Sequence, residues 1–505
     1  MMLQQQSIVD KRKRIIEFCL SQRVLLTHET VACLQNQAAI DILYAQITDN
    51  KSLPAQALLQ QLVQYKQEPL QQAQPAAQAA AHYPVKVIGN YQDPPGKRSI
   101  QDFIGYFNAR YSQLSKLLRQ RQELQTVASI NHIASLRERQ PAAIIGIVLE
   151  KTTTKNENIM LALEDPTGTI KVLINKQRQE LYSTGQDIVH DEVVGITGTS
   201  SGTGMLFANS IIHPDLPHQE LKKSPDEAYA VFLSCVHIGS SRFLYKAFDK
   251  FVKWLRGEYG TAEQRAMAAK VGYVFSIGDN VDGVGIYTNQ DKELAIKDIY
   301  AQYAEAARLF SQIPRHINII ISAGNHDALR MSEPQPVLYK DYAKPLWELP
   351  NVIMTCNPCT VNIHAKEGFP GFDVLTYHGF SFDDYSEMVP SIKNSGRNCS
   401  ERTPLIMKFL LQRRHLAPTH SSTLYIPDPR ADPLVLERIP DIFAAGHIHK
   451  ANADSYRGVT IVCCSTFQAK TDFQERVGHE PDPGKVPVIN LQTRRVHMIQ
   501  FGDEE

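Results

Sequence analysis

The segment from Val231 to Asp282 constrains the fold of this chain more than any other part of the sequence. It contains an apolar run (VFLSCVHIGS), an amphipathic helical stretch and a second apolar run (VGYVFSIGDNVDG). Strand, helix and strand in this order are typical of a parallel α/β sheet. Each apolar run ends in polar residues that can bind a metal, and open α/β sheets place their active sites at the carboxyl ends of strands. The segment therefore predicts an α/β domain with a metal site at one edge of its sheet.

Three strand-like runs farther along the chain end in residues of the same kind. INIIISAGNHD supplies Asn325 and His326, DVLTYHG supplies His378, and PDIFAAGHIH supplies His447 and His449. A lone histidine such as His378 is ordinarily a core residue, but GDNVD, GNHD and GHIH occur here together and after strand-like runs. Five strand ends are therefore expected to converge on one centre. A two-metal site needs such oxygen and imidazole ligands, with one carboxylate able to bridge.

These motifs, in this order, resemble those of the calcineurin-like metallophosphoesterases. The resemblance implies two divalent metal ions, with Mn²⁺ or Mg²⁺ expected and Zn²⁺ or Fe as alternatives. Carried over position by position, it implies the following ligands: His237, Asp279 and His449 around one ion, and Asp279, Asn325, His378 and His447 around the other. Asp279 would bridge the two ions. His326 would be the catalytic residue that donates a proton to the leaving oxygen.

Cys235 departs from the family pattern, in which the first motif begins with Asp. A thiolate is a softer ligand than a carboxylate and favours zinc over manganese or magnesium. Cys235 is therefore a candidate ligand that alters or weakens one metal position. The activity that the resemblance implies depends on this residue.

The remaining residues of these motifs have supporting roles in our interpretation. Asp282 and Asp327 are predicted to orient the histidines rather than to bind metal directly. The glycines of the motifs are expected to let the backbone turn sharply at the strand ends, so that the next side chain faces the metals; they are Gly278, Gly324 and Gly446.

The length of 505 residues and the changes of periodicity indicate a multidomain chain. We predict five segments: a helical N-terminal module (1–66), a flexible Gln/Ala/Pro linker (67–84), a connecting helical segment (85–140), an OB-fold (141–215), and an α/β calcineurin-like phosphoesterase domain (226–505) built as a two-sheet sandwich flanked by helices. The OB-fold prediction depends on five short alternating runs joined by turn residues. This barrel has few residues that could stack on bases, chiefly Phe207, so a structural or partner-binding barrel is favoured over one that binds single strands.

The amino-acid sequences of the motifs and the order of the domains resemble those of the small subunits of archaeal family-D replicative DNA polymerases. The runs that carry this likeness are HIGSSRF, GDNVDGVGIY, GNHDALR, YHGFSFDD, RRHLAP, GHIHKAN and STFQAKTDFQ. The resemblance implies a metal-dependent 3′-to-5′ exonuclease that proofreads on single-stranded DNA and docks a large polymerase subunit as a heterodimer or larger assembly. The expected partners are that subunit and single-stranded or primer-template DNA, and no membrane. A non-catalytic scaffold, which Cys235 would favour, is the alternative. A free-standing phosphoprotein phosphatase is a third hypothesis, but it would have no use for the barrel and the N-terminal module.

Charge and cysteine content add little to the functional prediction. Lys and Arg together number 53, as do Asp and Glu, so any DNA-binding surface must be a local patch. Arg413 and Arg414 end a predicted helix within an insertion at 385–440 and are candidate contacts to DNA phosphates, with a solvated helix face as the alternative. The eight cysteines, together with the lack of a signal peptide or a membrane-spanning run, indicate a reducing cytoplasm.

Overall fold

The structure is a computed structural model that describes residues 83–92, 96–471, 474–475 and 480–502. The predicted helical module at 1–66 and the linker up to residue 82 lie outside the described residues. Within the described residues, no helix is both long enough and apolar enough to cross a lipid bilayer.

The part of the chain from residue 85 to residue 212 contains a five-stranded barrel. The helices and strands of this part of the chain are β1 (Val85–Ile88), α1 (Ile100–Leu118), α2 (Ile130–Ala134), β2 (Pro141–Thr153), β3 (Ile159–Asp165), β4 (Gly168–Ile174), α3 (Gln179–Gln186), β5 (Val193–Ser200) and β6 (Met205–Ile212). The barrel closes in the order β2-β3-β4-β6-β5, with β5 antiparallel to β2. Alternate residues of β3 (Ile159, Leu161, Leu163) are buried, which is the period of two that a barrel wall requires. The prediction of a five-stranded barrel is confirmed, and Phe207 is exposed on β6.

The part from residue 229 to residue 500 forms the larger α/β body. Its elements are β7 (Tyr229–Leu233), α4 (Tyr245–Leu255), α5 (Ala262–Ala268), β8 (Val271–Ile277), α6 (Ile299–Phe310), β9 (Asn318–Ser322), α7 (Lys340–Trp347), β10 (Val352–Met354), β11 (Cys359–Ile363), β12 (Phe372–Tyr377), α8 (Phe382–Met388), α9 (Pro390–Lys393), α10 (Thr403–Arg413), β13 (Ile442–Ala445), β14 (Asn452–Tyr456), β15 (Val459–Cys463), β16 (Lys485–Asn490) and β17 (Val496–Gln500).

Two six-stranded sheets form the centre of this body. One has the order β10-β9-β8-β7-β16-β17 and the other β1-β11-β12-β13-β15-β14. Apolar side chains of both sheets share one core, in which Phe232 and Phe275 stack at a ring distance of 4.9 Å. The opposite faces of the sheets pack against helices, so every residue of β7 and β8 is buried. Burial on both faces explains why these strands are continuously apolar. The predicted two-sheet sandwich flanked by helices is therefore present.

The segment predicted as a linker and then as a connecting helix differs from the prediction at residues 83–88. Strand β1 pairs antiparallel with β11 and adds an edge to the second sheet. The ring of Tyr83 packs edge-on against that of Tyr273 at 5.5 Å. The backbone carbonyl oxygen of Tyr83 accepts a hydrogen bond from Asn318 Nδ2. The prediction was wrong here because a strand of four residues has too few alternations to show a period of two.

The prediction that Arg413 and Arg414 contact DNA is also wrong, as is the alternative of a solvated helix face. Both side chains are buried. The Arg413 guanidinium forms an ion pair with Glu192 of the barrel at 3.1 Å and lies over the ring of Phe409. Arg414 donates to the carbonyl oxygens of Leu436 and Glu437. The basic helix end therefore joins the barrel to the phosphoesterase body.

Candidate metal centre

The candidate ligands lie where parallel strands of both sheets end. Cys235 and His237 follow β7, Asp279 follows β8, and Asn325 follows β9 in the first sheet, where these strands run parallel. In the second sheet β12 and β13 run parallel and are followed by the remaining histidines, which are His378, His447 and His449. The five strand ends therefore meet at one edge of the sandwich, as the sequence predicts.

Asp279 occupies the middle of this cluster. Its Oδ2 lies 3.1 Å from His378 Nε2 and 3.9 Å from His237 Nε2. Its Oδ1 accepts a hydrogen bond of 2.8 Å from the backbone N–H of His326. Burial alone would raise the pKa of Asp279, but the neighbouring imidazoles, His378 first among them, hold it well below its ordinary value. A buried ionised carboxylate between two imidazoles is the arrangement that a bridging metal ligand requires.

On the side of His237, two imidazoles face each other across the cluster. His237 Nε2 and His449 Nε2 are 3.1 Å apart, and the other nitrogen of each ring is held by a protein partner. His237 Nδ1 lies 3.1 Å from Asp282 Oδ1, and His449 Nδ1 lies 2.7 Å from Gln474 Nε2. Burial and the neighbouring His237 lower the pKa of His449 well below its ordinary value. A neutral imidazole is the form that binds metal.

On the side of His378, the ring is anchored in the same way. Its Nδ1 lies 2.9 Å from the carbonyl oxygen of Ile277, while its Nε2 lies 3.0 Å from Asn325 Oδ1 as well as close to Asp279. His447 differs, because its Nε2 lies 3.1 Å from Asp383 Oδ2. Its backbone N–H donates to Cys235 Sγ at 3.2 Å.

Cys235 lies between the two halves of the cluster. Its sulfur belongs to two groups of side chains whose ligand atoms all lie within 4.8 Å of one another, one with His237 and His449 and one with Asp279 and His378. Burial, and then the charge of Asp279, raises the pKa of the Cys235 thiol well above its ordinary value. The described residues thus bring together imidazole, carboxylate, amide and thiol ligands, a set that fits divalent metal ions such as zinc, iron or manganese.

The backbone at the strand ends is held in an uncommon conformation. Cys235, His237 and Asp279 have φ of 53°, and His447 and His449 have φ of 68° and 58°. Non-glycine residues rarely adopt this left-handed conformation, and each one costs of the order of 1 kcal/mol or more unless the surroundings enforce it. Such strain concentrates at functional sites because it aims side chains that ordinary strand geometry would point elsewhere.

The three motif glycines act partly as predicted. Gly278 has φ of 76° and makes a turn, whereas Gly324 and Gly446 are needed for space. A Cβ on Gly324 would lie 2.2 Å from Asp279 Oδ1, and one on Gly446 would lie 1.8 Å from Ser234 Oγ. Any side chain at Gly324 would therefore displace the central carboxylate.

The two aspartates predicted to orient histidines have different positions. Asp282 contacts His237 as described, and it accepts hydrogen bonds from Gln468 Nε2 and Gln290 Nε2 at 3.0 and 3.1 Å. Asp327 instead accepts from Gly324 N and from the backbone and side chain of Asn280, so it holds the loops after β8 and β9 rather than a histidine. Burial, together with the charge of Asp279, raises the pKa of Asp327 to about 6.

His326 lies at the rim of the cluster and is only half-buried. Its ring stands edge-on to that of His237 at 4.6 Å, and its Nδ1 lies 2.8 Å from the carbonyl oxygen of Asp282. This contact leaves Nε2 as the nitrogen that can exchange a proton. Burial lowers the pKa of His326 below its ordinary value, against the opposing charge of Asp279.

Sequence reasoning missed the residues that support the histidines from outside. They are Gln468, Gln474 and Asp383. The two glutamines lie in the run STFQAKTDFQ and Asp383 lies in YHGFSFDD, both of which carry the family resemblance. Gln474 and Asp383 contact histidines directly, whereas Gln468 acts through Asp282. Their presence in those runs is a signal in the sequence, but nothing in the local pattern identifies the side chain that each one contacts.

Comparison with known proteins gives a consistent result. The calcineurin-like phosphoesterase family matches residues 230–451. The DNA polymerase II small subunit of Methanothermobacter thermautotrophicus is 42% identical over 392 residues, which are 77% of this chain and 78% of that protein. The DNA polymerase II small subunits of Archaeoglobus fulgidus and Pyrococcus furiosus are 38% and 37% identical over 83% and 82% of this chain, and over 81% and 65% of their own lengths. The matched phosphoesterase residues include all the strand ends that carry the candidate ligands.

Proposed function

The chain belongs to the DNA polymerase II small subunit family, and from this premise we propose that it is a metal-dependent 3′-to-5′ exonuclease on single-stranded DNA within a polymerase assembly. The observation that carries the proposal is Asp279, a buried ionised carboxylate within reach of His378 on one side and His237 on the other. A carboxylate placed between two sets of imidazoles is suited to two-metal phosphodiester hydrolysis.

The residues of the site divide the chemistry between them. When bound, divalent ions activate a water and stabilise the charge that develops on the phosphate oxygens. One ion would be held by His237 and His449. The other ion would be held by His378, Asn325 and His447, and Asp279 would contribute to both positions. These side chains are buried or half-buried, so they would hold the phosphate where little water competes for its charge.

His326 is suited to transfer the proton. Its Nδ1 is fixed against the carbonyl oxygen of Asp282, so Nε2 is free to donate to the leaving 3′ oxygen of the penultimate nucleotide. Burial lowers the pKa of His326, while an anionic phosphodiester bound beside the ring would favour its charged form.

A second candidate function is a scaffold without catalysis, and the position of Cys235 favours it. The residue stands where the family has a carboxylate, and its sulfur is within ligand distance of both halves of the cluster. A metal at this position must displace the thiol proton and loses a hard oxygen ligand, which weakens manganese binding in particular.

We expect Cys235→Asp to raise manganese-dependent hydrolysis at least several-fold, because it restores one ligand in a site whose other ligands are present. The measurement is the degradation of a 5′-labelled single-stranded oligonucleotide over a manganese titration, with a phosphoserine peptide as the alternative substrate. The control is Cys235→Ser, which changes the same buried position without adding a carboxylate. Equal rates for wild-type and Cys235→Asp proteins would show that Cys235 is a packing residue. Faster release of phosphate from the peptide than of nucleotides from the DNA would favour a phosphatase.

We also expect the chain to form a stable complex with a larger polymerase subunit. The relatives it matches are named small subunits, and equal numbers of basic and acidic residues suit docking to a protein better than independent capture of DNA. Affinity purification of the tagged chain from its native cells at physiological salt should recover the large subunit in a fixed ratio. An Asp279→Ala chain should recover the same partner, because that residue is buried in the metal cluster. Recovery of the chain alone in both cases would contradict the docking role.

A further inference from the structure

The ring nitrogen of His447 that contacts the protein is not the one that does so in three other candidate ligand histidines. In His237, His378 and His449 the protein contacts Nδ1, which leaves Nε2 facing the cluster. In His447 the contact is between Nε2 and Asp383 Oδ2, at 3.1 Å. Only one nitrogen of an imidazole can bind a metal while the other is held, so Nδ1 is the nitrogen of His447 that remains.

The ring of His447 is fixed on several sides. It packs against the rings of Phe380 and His378 at 5.5 and 5.2 Å. Its backbone has φ of 68°, and its N–H donates to Cys235 Sγ. The side chain is 14% exposed, so a rotation of the ring away from Asp383 would have to displace these neighbours.

Asp383 is presented by a well-anchored turn. It is the second residue of α8, directly after the fully buried Phe382. The N–H of Phe382 donates to the carbonyl oxygen of Gly379 at 2.9 Å, and its ring packs against Tyr377 at 5.8 Å. The carboxylate of Asp383 is 51% exposed, so keeping it charged costs little desolvation. This geometry makes Asp383 a stable acceptor for a histidine N–H.

We propose that Asp383 is the positioning residue for His447: its carboxylate accepts the Nε2–H and thereby fixes the tautomer in which Nδ1 carries the lone pair for a divalent metal ion. The inference rests on the proposed metal centre. Carboxylates that orient metal-binding histidines in this way raise the basicity of the ligand, and their loss typically weakens metal binding about 10- to 100-fold. Asp383 would thus determine which nitrogen of His447 binds the ion of the second metal position.

The test is a titration of the full metal-free chain with Co²⁺ alone. Binding is measured by calorimetry and by the visible absorption spectrum of the bound ion. We expect Asp383→Ala to weaken one of two binding events about 10- to 100-fold and to change the Co²⁺ spectrum. Asp383→Asn keeps an acceptor oxygen without the charge and should rescue part of the loss. Asp384→Asn is the matched control, because it removes the neighbouring carboxylate of the same helix turn, whereas the contact with His447 is made by Asp383.

The outcomes separate this inference from the proposed function. If the wild-type chain binds two ions and Asp383→Ala binds them with the same affinities and spectrum, the positioning role is overturned while the metal centre stands. Tighter binding by Asp383→Ala would also overturn it, since Asp383 would then hold His447 away from the metal. A wild-type chain that binds no Co²⁺ would overturn both proposals. A partial rescue by Asp383→Asn, with Asp384→Asn unchanged, is the pattern that a general loss of folding would not give.

Discussion

Replacing Asp279 with alanine is expected to lower the rate of single-stranded DNA hydrolysis about 10³-fold or more, the scale on which single groups at a catalytic centre act. The carboxylate of this candidate ligand lies 3.1 Å from His378 Nε2 and 3.9 Å from His237 Nε2. Alanine would leave these imidazoles without their shared anion and would remove the bridge between two metal positions. The rate would be measured with Cys235→Asp as the parent protein as well as with wild type, so that a weak starting activity does not hide the loss.

Two further variants make this result interpretable. Asp279→Asn keeps the shape of the side chain but not its charge, and should lose nearly as much activity. Asp249→Ala removes a half-exposed carboxylate on α4 that pairs with Lys253 at 2.7 Å, and should retain full activity. Circular dichroism would establish that the Asp279 variants are folded. An Asp279→Ala protein that is folded and within tenfold of its parent would contradict the two-metal assignment.

Replacing Arg413 with alanine should reduce the free energy of unfolding by about 3–5 kcal/mol, because it leaves Glu192 as a buried charge without its partner. The two side chains are 4% and 1% exposed. The measurement is urea denaturation followed by circular dichroism. Lys176→Ala is the matched control, since it breaks an ion pair with Glu157 in the same barrel whose side chains are 47% and 72% exposed, and should leave the free energy of unfolding nearly unchanged. Similar losses for both variants would show that the joint between barrel and body contributes little.

The loss of stability in the Arg413→Ala protein should also depend on pH and should be larger at higher pH. Burial raises the pKa of Glu192, and Arg413 is the main influence that lowers it. Without Arg413 this pKa moves further above its unfolded value, so the native state holds a proton that the unfolded state releases. Stability then falls as the pH rises through the native pKa. The variant should therefore differ from wild type more at about pH 8 than at about pH 5, as two urea series would measure.

The sequence predicts those features that depend on local pattern. The strands that precede the candidate ligands are continuous apolar runs with a turn directly after them, so the sheet edge and the residues beyond it can be identified from neighbouring residues alone. The function of the end of α10 cannot be identified in this way. Arg413 is indistinguishable from a solvated arginine until its partner Glu192, 221 positions earlier, is brought beside it by the fold. The strand Val85–Ile88 likewise depends on β11, which lies far along the chain.

The support of the histidines belongs to the same class of unpredicted features. Gln474 is 25 positions from His449, and Asp383 is 64 positions from His447. Glutamine and aspartate are common on protein surfaces, and their side chains acquire a specific role only through tertiary contacts. The motif predicts the type of ligand, but these distant partners contact one nitrogen of each ring and would thereby determine which nitrogen is left for a metal.

The spacing of the cluster along the chain has a consequence for how the protein matures. His237 and His449, whose Nε2 atoms are 3.1 Å apart, are separated by 212 positions, and each comes from a different sheet. Contacts of this separation form late in folding, because the entropy of closing a long loop must be offset by structure that already exists. During synthesis the first candidate ligands emerge well before the last, so the complete set could not hold a divalent ion until both sheets have formed and met. A bound metal ion would then indicate that folding is complete, and a chain whose synthesis stops before His449 would hold no ion in this centre.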